Sequence, residues 1–465
     1  MSETPLDFEK GAHEALGSAT LQQALGKFQT GYPLLRARAM QSLPDFEKVR
    51  TKAARIKDFS LKNLDKLTDQ YREKVEANGG TVHICETAAD ARKTVVEICR
   101  QAEAKKITKS KSMVTEELAL NDALEAAGME VLETDLGEYI IQLAGERPSH
   151  IVGPALHKTK EEVAQLFKAH HKTRRKRETG EQLVREAREV LREKYFASEV
   201  GITGANFLIA ETGTAVIVTN EGNADLCRIL PNTHIVVTSM EKVIPTLDDL
   251  SVFLRLLARS ASGQEMTSYT TLVSGPRGPG ESEGPSSFHV VIVDGGRSKL
   301  LGTDQQALLR CIKCGACMNV CPVYMSVGGH TYGWVYPGPI GAVLNPVLNG
   351  FGTMYHNYQA STFCGACEEV CPVKIPLTKI MRDWRTRAFQ ERIPGLGARL
   401  ALWLWAAIAA NPFLYNLAAG AGIPILRALA GKKGVLKSLP LAKGWMKGRV
   451  LDAPEGGRFV RGRKR

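Results

Sequence analysis

Seven of the chain's ten cysteines lie in two short runs, and their spacing constrains the fold more than any other feature. The first run has cysteines at 311, 314, 317 and 321, followed by Pro322, and the second has them at 364, 367 and 371, followed by Pro372. Three cysteines at every third position can bind three corners of a 4Fe-4S cluster from one loop, whereas the cysteine before proline reaches the other cluster. The runs therefore predict a domain with two 4Fe-4S clusters.

The interlocked pattern also predicts which cysteines share a cluster. We expect cluster one on Cys311, Cys314, Cys317 and Cys371, and cluster two on Cys321, Cys364 and Cys367.

Cluster two lacks one thiolate, because Ser361 stands three residues before Cys364, where the two-cluster pattern has a cysteine. A serine oxygen is a harder donor than a thiolate. Three arrangements are open: an exchangeable iron at this corner, a three-iron cluster, or an outside ligand such as His330 or His356. We favour a four-iron cluster whose weak or open fourth position lies near Ser361.

Other roles suit the cysteines less well. Structural zinc sites usually use two cysteine pairs separated by a longer gap. The N-terminal segment has acidic residues and no apolar stretch, so we predict no secretory signal and a reducing, cytoplasmic location, which disfavours disulfides. Cys85, Cys99 and Cys227 lie in apolar segments, and we interpret them as buried core residues.

Length and charge divide the rest of the chain. A chain of 465 residues is expected to form two or three domains. The net charge is +12, and the last 75 residues contain fourteen lysines and arginines against three acidic residues. We predict a helical N-terminal extension over 1–75, an α/β domain over 76–300, a helical two-cluster ferredoxin domain over 301–390, and a basic extension with apolar helices over 391–465.

The segment before the cysteines alternates between strand and helix patterns. Short apolar runs bounded by Gly, Pro, Asn or Asp are typical of the buried strands of a largely parallel sheet. We predict strands over 80–86, 129–133, 149–152, 207–211, 215–219, 234–238 and 290–294, and helices over 87–105 and 248–260. The first of these helices begins with Thr87 as its N-terminal cap.

Nucleotide-binding motifs are absent from the sequence. No GxGxxG follows a predicted strand, and no GxxxxGK[ST] occurs. Oxidation of a small alcohol or hydroxy acid normally needs a hydride acceptor, whereas iron–sulfur clusters take one electron at a time. We therefore expect this chain to conduct electrons, with the substrate chemistry in a partner.

Several long segments, in the same order, resemble the lactate utilization protein B (LutB) family. They are KSKSM (109–113), ETDLGEYIIQL (133–143), PSHIVGPALHK (148–158), GITGANFLIAETGT (201–214), VTNEGNADL (218–226), CIKCGACMNVCPVY (311–324) and GGHTYGWVYPGPIGAV (328–343). The resemblance implies an α/β LUD domain, with a sheet similar to those of ribose-phosphate isomerase and CoA-transferase-like proteins, followed by a mainly α-helical two-cluster ferredoxin domain.

The resemblance also implies a function. It implies an iron–sulfur electron-transfer subunit of a bacterial system that oxidises L-lactate to pyruvate, an oxidoreductase subunit that is not active alone. The implied partners are similar to LutA, a cysteine-rich CCG-type protein, and LutC, a second LUD protein. One alternative is a self-contained LUD enzyme acting on a CoA ester or sugar phosphate, with structural or sensing clusters. Another is a redox sensor that binds nucleic acid through its basic tail, although we expect no nucleic acid partner.

Two polar loops of the LUD domain are candidates for binding a small molecule, although no catalytic residue is assigned. Residues 211–214 end one predicted strand and residues 220–223 follow the next, so both are expected at a carboxyl edge of the sheet. Lys109, Lys111 and Arg277 are candidates for pairing with a small carboxylate or phosphate. Alternatively, these residues shape turns and pair with one another in a fold reused as a scaffold.

The C-terminal extension contains 27 uncharged residues, from 400 to 426, which is long enough to span a membrane. Asn411 and Pro412 interrupt this stretch, and Gly420, Gly422 and Pro424 follow. We therefore predict two short apolar helices that dock onto a partner. The alternatives, in order, are peripheral contact with an anionic membrane surface and a true membrane span.

Overall fold

The computed structural model describes residues 7–173, 175–431, 434–439, 446 and 450–454. The chain divides into two compact units, residues 1–386 and 387–465. The helices of the first unit are α1 (Phe8–Gly17), α2 (Ala19–Gln41), α3 (Phe46–Lys62), α4 (Leu64–Ala77), α5 (Ala88–Gln101), α6 (Met113–Glu117), α7 (Leu120–Ala126), α8 (Leu136–Ala144), α9 (Lys160–His170), α10 (Gly180–Phe196), α11 (Asn223–Ile229), α12 (Leu247–Ala261), α13 (Ala316–Asn319), α14 (Tyr324–Val327), α15 (Gly338–Asn349), α16 (Tyr355–Gln359), α17 (Ala366–Glu369) and α18 (Leu377–Gln390), which continues into the second unit.

The strands of the first unit form two sheets. They are β1 (Thr81–Cys85), β2 (Lys106–Lys109), β3 (Glu130–Glu133), β4 (Val200–Thr203), β5 (Phe207–Ile209), β6 (Thr214–Thr219), β7 (Thr233–Ser239), β8 (Val243–Ile244), β9 (Tyr269–Val273) and β10 (Ser287–Val293). Short 3-10 helices cover Met240–Lys242, Ser298–Leu300, Gln306–Arg310 and His330–Tyr332.

The larger sheet has six parallel strands in the order β1-β10-β7-β4-β2-β3. Its central strands β7 and β4 are buried along their whole length, because helices cover both faces of a parallel sheet. The cluster of buried residues on one face includes Val200, Ile235, Val291 and Cys99. The helix between β1 and β2 begins with the predicted cap, since the Thr87 hydroxyl accepts a hydrogen bond from the Asp90 amide. The prediction of an α/β fold is confirmed.

The smaller sheet corrects one prediction. Its order is β8-β5-β6-β9, and β6 pairs antiparallel with both β5 and β9. The runs over 207–211 and 215–219 are therefore strands, but they form a hairpin outside the parallel sheet. The apolar pattern could not distinguish a strand of the parallel sheet from a strand of this hairpin, because β5 and most of β6 are also buried on both faces.

A second correction concerns residues 149–152, which form a loop instead of a strand. The Ser149 carbonyl accepts a hydrogen bond from the Tyr324 hydroxyl at 2.8 Å. The Nδ1 atom of His150 accepts hydrogen bonds from the amides of Val152 and Gly153 at 3.0 Å. The apolar residues of this loop therefore pack against the cysteine-rich segment and not against a neighbouring strand.

The N-terminal helices α1 to α3 pack on the cysteine-rich segment. The Gln22 amide donates to the Ser326 carbonyl at 2.9 Å, and the Arg36 guanidinium donates to the Val370 carbonyl at 2.9 Å. On α3, the Asp58 carboxylate accepts two hydrogen bonds from the Arg310 guanidinium, at 2.6 and 2.8 Å. These contacts place the N-terminal extension directly against the segments that carry the cysteines.

The second unit contains two apolar helices, α19 (Leu396–Ala410) and α20 (Pro412–Ala430), and a hairpin of β11 (Val435–Leu436) and β12 (Leu451–Asp452). Asn411 separates the helices as predicted, since its side chain accepts hydrogen bonds from the first amides of α20. The 19-residue α20 is longer than predicted, because Pro424 is accommodated inside it. By length and composition α20 is the one helix in the described part of the chain that could cross a membrane.

Candidate iron–sulfur centres

Four cysteines line one cavity, which occupies about 370 Å³ including its open part. Cys311, Cys314 and Cys317 come from the first run and Cys371 from the second, so the chain brings together the four residues expected for cluster one. The other walls are mostly apolar and include Ile151 from the loop that follows α8. Four soft sulfur donors around one space suit a 4Fe-4S cluster.

The backbone of the first run bends sharply around this cavity. Lys313 has a φ of +59° and Gly315 a φ of +75°, so two left-handed residues flank Cys314. A left-handed conformation is strained for lysine but not for glycine. The turn lets the Lys313 amide approach the Cys311 sulfur at 3.4 Å, and on the second run the Ile375 amide lies 3.4 Å from the Cys371 sulfur. Such N–H···S contacts stabilise negative charge on sulfur.

Basic side chains from the N-terminal helices approach the same cavity. The Arg50 Nε and Nη2 atoms donate to the Cys371 carbonyl at 2.9 and 2.7 Å. Lys57 is fully buried, and its ammonium donates to the Glu241 carbonyl. Burial lowers the pKa of Lys57 to about 8, although nearby Glu241 opposes the shift. Arg36 also lies close to Cys314 and Cys371, whose charges raise its pKa against the larger lowering caused by burial.

The other three cysteines of the two runs line a second cavity, which occupies about 330 Å³ including its open part. Cys321, Cys364 and Cys367 contribute sulfur atoms, and Ser361 contributes a hydroxyl to the same lining. Cys364 is exposed whereas the other two cysteines are buried, so the second cavity reaches the protein surface. Thr362 and Thr378 also carry hydroxyls in this lining, and three thiols with an oxygen donor suit a 4Fe-4S cluster with one weak corner.

Arg385 of α18 fixes the backbone that carries Ser361. Its guanidinium donates to the carbonyls of Tyr358, Gln359 and Ser361 at 3.0, 2.8 and 3.2 Å, and it lies 4.2 Å above the centre of the Phe363 ring. The Ser361 hydroxyl accepts a hydrogen bond from the Phe363 amide at 3.2 Å.

His330 and His356, which were considered as outside ligands, are not among the described residues that line the second cavity. The Nε2 atom of His330 lies 2.8 Å from the Arg147 carbonyl, and its ring packs on His157 with centroids 4.5 Å apart. His356 packs against Tyr355. Among the hydroxyl-bearing residues of this lining, Ser361 stands where the two-cluster pattern has a cysteine, so its hydroxyl is the candidate fourth donor.

Burial affects the chemistry of the thiols before any metal binds. It raises the pKa of Cys314 and of Cys367 to about 12, and it also raises the pKa of Cys321 and Cys371. The metal-free thiols are therefore protonated at neutral pH. Cluster binding must release these protons, because thiolate is the form that binds iron.

The candidate residues of the LUD segment have different roles. Lys109 is buried in ion pairs with Glu116 and Glu133 at 2.8 and 2.6 Å, so it is a structural cation. Residues 211–213 lie in the turn of the β5–β6 hairpin, Thr214 begins β6, and Arg277 lies in the loop between β9 and β10. Lys111 and the segment 220–223, in contrast, line or adjoin a large cavity at the carboxyl edge of the parallel sheet.

Sequence analysis missed the basic residues around the first cavity. Arg50 and Lys57 are seven residues apart on α3, within a stripe of buried residues that includes Val49, Ala53 and Ile56. Basic residues on the apolar stripe of a helix are unusual, and this pattern was the available signal. The three cysteines interpreted as core residues, Cys85, Cys99 and Cys227, are buried, as predicted.

Comparison with known families matches both parts of the first unit. The LUD domain family matches residues 68–293, and the 4Fe-4S dicluster domain family matches residues 307–375. The chain therefore contains a LUD domain followed by a 4Fe-4S dicluster domain, as the cysteine spacing and the resemblance predicted.

Similar proteins cover nearly the whole chain. Proteins named lactate utilization protein B from Shouchella clausii and Anoxybacillus flavithermus are each 44% identical to it, and one from Bacillus licheniformis is 42% identical. Each alignment covers 97% of this chain and 95% of the relative. The crystal structure of a DUF162 family protein from Deinococcus radiodurans covers 50% of this chain and 98% of its own, with 13% identity and a TM-score of 0.29, which is too low to bear on function.

Proposed function

The chain belongs to the lactate utilization protein B family, and we propose that it relays electrons from a lactate-oxidising partner to an acceptor. The observation that carries this proposal is the pair of cysteine-lined cavities in one compact unit, the second of which includes the exposed Cys364. When bound, two 4Fe-4S clusters would each take up one electron, which matches the two electrons released when one L-lactate becomes pyruvate.

The chain's own residues support this role in different ways. Cys311, Cys314, Cys317 and Cys371 would hold cluster one. Cys321, Cys364 and Cys367 would hold cluster two, with the Ser361 hydroxyl at its weak fourth corner. Basic groups near the first cavity, such as Arg50 and Lys57, offset the negative charge of thiolate ligands. The exposure of Cys364 gives cluster two a path to a redox partner.

We expect lactate to reduce the clusters only when partner proteins are present. The isolated chain, purified anaerobically, should stay oxidised with L-lactate but be reduced by dithionite. Addition of proteins similar to LutA and LutC should make lactate-driven reduction possible, measured as bleaching of the cluster absorption and as new electron paramagnetic resonance signals. Rapid oxidation of L-lactate by the isolated chain would contradict the proposal, and turnover of a CoA ester or sugar phosphate would favour a self-contained enzyme.

The C-terminal extension provides a variant for the same measurement. Its apolar helices expose large side chains, including Trp403, Trp405 and Phe413. We assign these helices to partner docking, with peripheral membrane contact as the alternative. A chain ending at residue 393 keeps every candidate ligand, so it should retain iron and reduction by dithionite but lose partner-dependent reduction by lactate. Release of the full-length chain from membranes by high salt would support the peripheral alternative.

A further prediction concerns Ser361. If its hydroxyl is the weak corner of cluster two, mild oxidation should convert that cluster to a three-iron form before cluster one changes, and Ser361→Cys should suppress the conversion because thiolate is the better iron ligand. The three-iron signal is measured by electron paramagnetic resonance. Ser326→Cys, which adds a thiol at an exposed serine, serves as the control and should leave the conversion unchanged. Equal lability of both clusters in all three proteins would disprove this assignment.

A further inference from the structure

A large cavity of the first unit lies at the carboxyl edge of the six-stranded sheet. It occupies about 1210 Å³ including its open mouth. Its lining comes from segments that directly follow three parallel strands: Ser110 and Ser112 after β2, Asn206 after β4 and Lys242 after β7. The chain leaves β2 toward β3 on one side and leaves β4 toward β7 on the other. Ligands of open α/β sheets bind where neighbouring connections diverge in this way.

The lining of this cavity includes a buried lysine whose ammonium makes no hydrogen bond or ion pair in the described part of the chain. Lys242 is 4% exposed and lines the cavity, and its ammonium makes no hydrogen bond or ion pair to a described residue. The nearby Glu241 carboxylate instead pairs with Arg297 at 3.1 Å. A buried charge without a partner is costly. Burial lowers the pKa of Lys242 to about 8, although the charge of nearby Glu241 opposes the shift.

The other charged groups of the lining favour an anion. Lys111 donates to the Val152 carbonyl and keeps two further N–H groups, and the Lys313 ammonium lies 4.0 Å above the centre of the Tyr336 ring. The two acidic members are already engaged. Asp135 accepts hydrogen bonds from the amides of Gly137 and Glu138, and Glu221 at the exposed mouth accepts from the Thr219 hydroxyl and the Asn220 amide.

The apolar part of the lining indicates what kind of anion is accommodated. Met113, Val114 and Leu257 contribute hydrocarbon surface beside the polar groups. A mixture of hydrocarbon walls with a few fixed polar groups is typical of sites for organic ligands. An organic carboxylate matches this lining better than inorganic phosphate, which has no apolar part.

The cavity also adjoins the first cysteine cavity. Ile151, Lys313 and Cys314 line both spaces, so the bend of the first cysteine run forms their common wall. A molecule in the large cavity would therefore lie against the loop that carries Cys314, whereas none of the cysteines of the second cavity lines it.

We propose that this cavity binds a small organic carboxylate, with Lys242 as the pairing cation and Lys111 as a second donor, next to the loop of cluster one. The site itself is inferred from the cavity and its charges. The choice of L-lactate and pyruvate as the carboxylates to test rests on the proposed function.

Binding can be measured on the isolated full-length chain with its clusters, without partners or turnover. L-lactate, pyruvate and inorganic phosphate are titrated separately by calorimetry. We expect a carboxylate to bind, and saturation with it to change the electron paramagnetic resonance line shape of reduced cluster one but not of cluster two. Lys242→Met should weaken carboxylate binding by about tenfold or more, because it removes the charge partner. Lys299→Met, at an exposed lysine, is the matched control and should bind as the unaltered chain does.

The midpoint of thermal unfolding distinguishes a binding role of Lys242 from a structural role. Lys242 makes no hydrogen bond or ion pair to a described residue and only adds to the positive charges around Glu241, so Lys242→Met should lower the midpoint only slightly, whereas loss of a structural lysine would lower it strongly. If this variant does not fold, Lys111→Met tests the same site and should also weaken binding. Phosphate binding equal to carboxylate binding would overturn the ligand class, and no anion binding, or undiminished binding by both variants, would overturn the site. Because partners are absent, failure of the electron relay would not affect this result.

Discussion

Replacing Cys314 with alanine should remove about four of the roughly eight iron atoms expected per chain and destabilise the dicluster domain. Cys314 is buried between two left-handed residues and lines the first cavity with Cys311, Cys317 and Cys371. Loss of one thiolate leaves cluster one with three protein ligands. Because Cys371 belongs to the second run, the change should also loosen the segment that carries Cys364 and Cys367. Iron and acid-labile sulfide measured after anaerobic purification give the cluster content.

The matched control is Cys99→Ala. Cys99 is fully buried in the core of the LUD domain, so the substitution removes the same atoms from a site without cluster-binding geometry. It should keep all the iron and lower the thermal midpoint only as far as a small core cavity does. Full iron content in Cys314→Ala, or zinc as the main metal in the unaltered chain, would show that the ligand assignment is wrong.

The parts of the structure that the sequence predicted depend on local spacing. Cysteines three residues apart can face one cavity because the turn is set by nearby residues such as Gly315. The helix after Thr87 begins with a cap whose geometry involves four consecutive residues. Four strands of the parallel sheet, β1, β3, β7 and β10, were recognised from short apolar runs, whereas β2 and β4 were not predicted. None of these features requires knowledge of which distant segments meet.

The missed features arise from contacts between segments distant in sequence. Arg50 lies 321 residues before Cys371, whose carbonyl it binds. Lys242 has no motif of its own, and it faces the large cavity only because β7 ends beside β4 in the sheet. The loop at 149–152 has the composition of a strand, but Tyr324 binds its backbone where a neighbouring strand was expected. Sequence patterns describe such residues only as basic or apolar, because their partners are set by the tertiary fold.

A buried ion network joins the LUD domain to the dicluster domain, and breaking it should have the largest effect on stability. Arg297 is fully buried and donates to both carboxylate oxygens of Glu117 at 2.8 and 2.6 Å, and its Nε atom lies 3.1 Å from Glu241. The Tyr336 hydroxyl, from the dicluster domain, donates to Glu117 at 2.8 Å, and the ring of Tyr336 lies under Lys313. The network therefore supports the loop that carries Cys314.

Arg297→Met should destabilise the protein by about 3–5 kcal/mol at neutral pH, because two carboxylates then remain buried without their cation. Urea denaturation of the anaerobic protein, followed by circular dichroism, measures the change. Arg255→Met breaks an exposed pair with Asp45, in which the ions are 2.8 Å apart and nearly half exposed, and should cost no more than about 1 kcal/mol. Equal stability of the two variants would contradict the role assigned to the network.

The pH dependence of the stability lost in Arg297→Met identifies the cause of that loss. Burial alone would raise the pKa of Glu241, but Arg297 and neighbouring lysines outweigh burial and lower it to about 2. Since this value lies below that of an unfolded glutamate, near 4.3, Glu241 stabilises the native protein above that pH and loses this effect as the pH falls toward 2. Without Arg297, burial raises the pKa of Glu241, so its ionisation opposes folding at neutral pH. The difference in stability between Arg297→Met and the unaltered protein should therefore shrink as the pH is lowered from 7 to about 4.

Adding Glu241→Gln to Arg297→Met should recover part of the lost stability at pH 7, because it removes one of the two uncompensated charges. A difference that is independent of pH would instead indicate that lost packing, and not unpaired charge, causes the destabilisation.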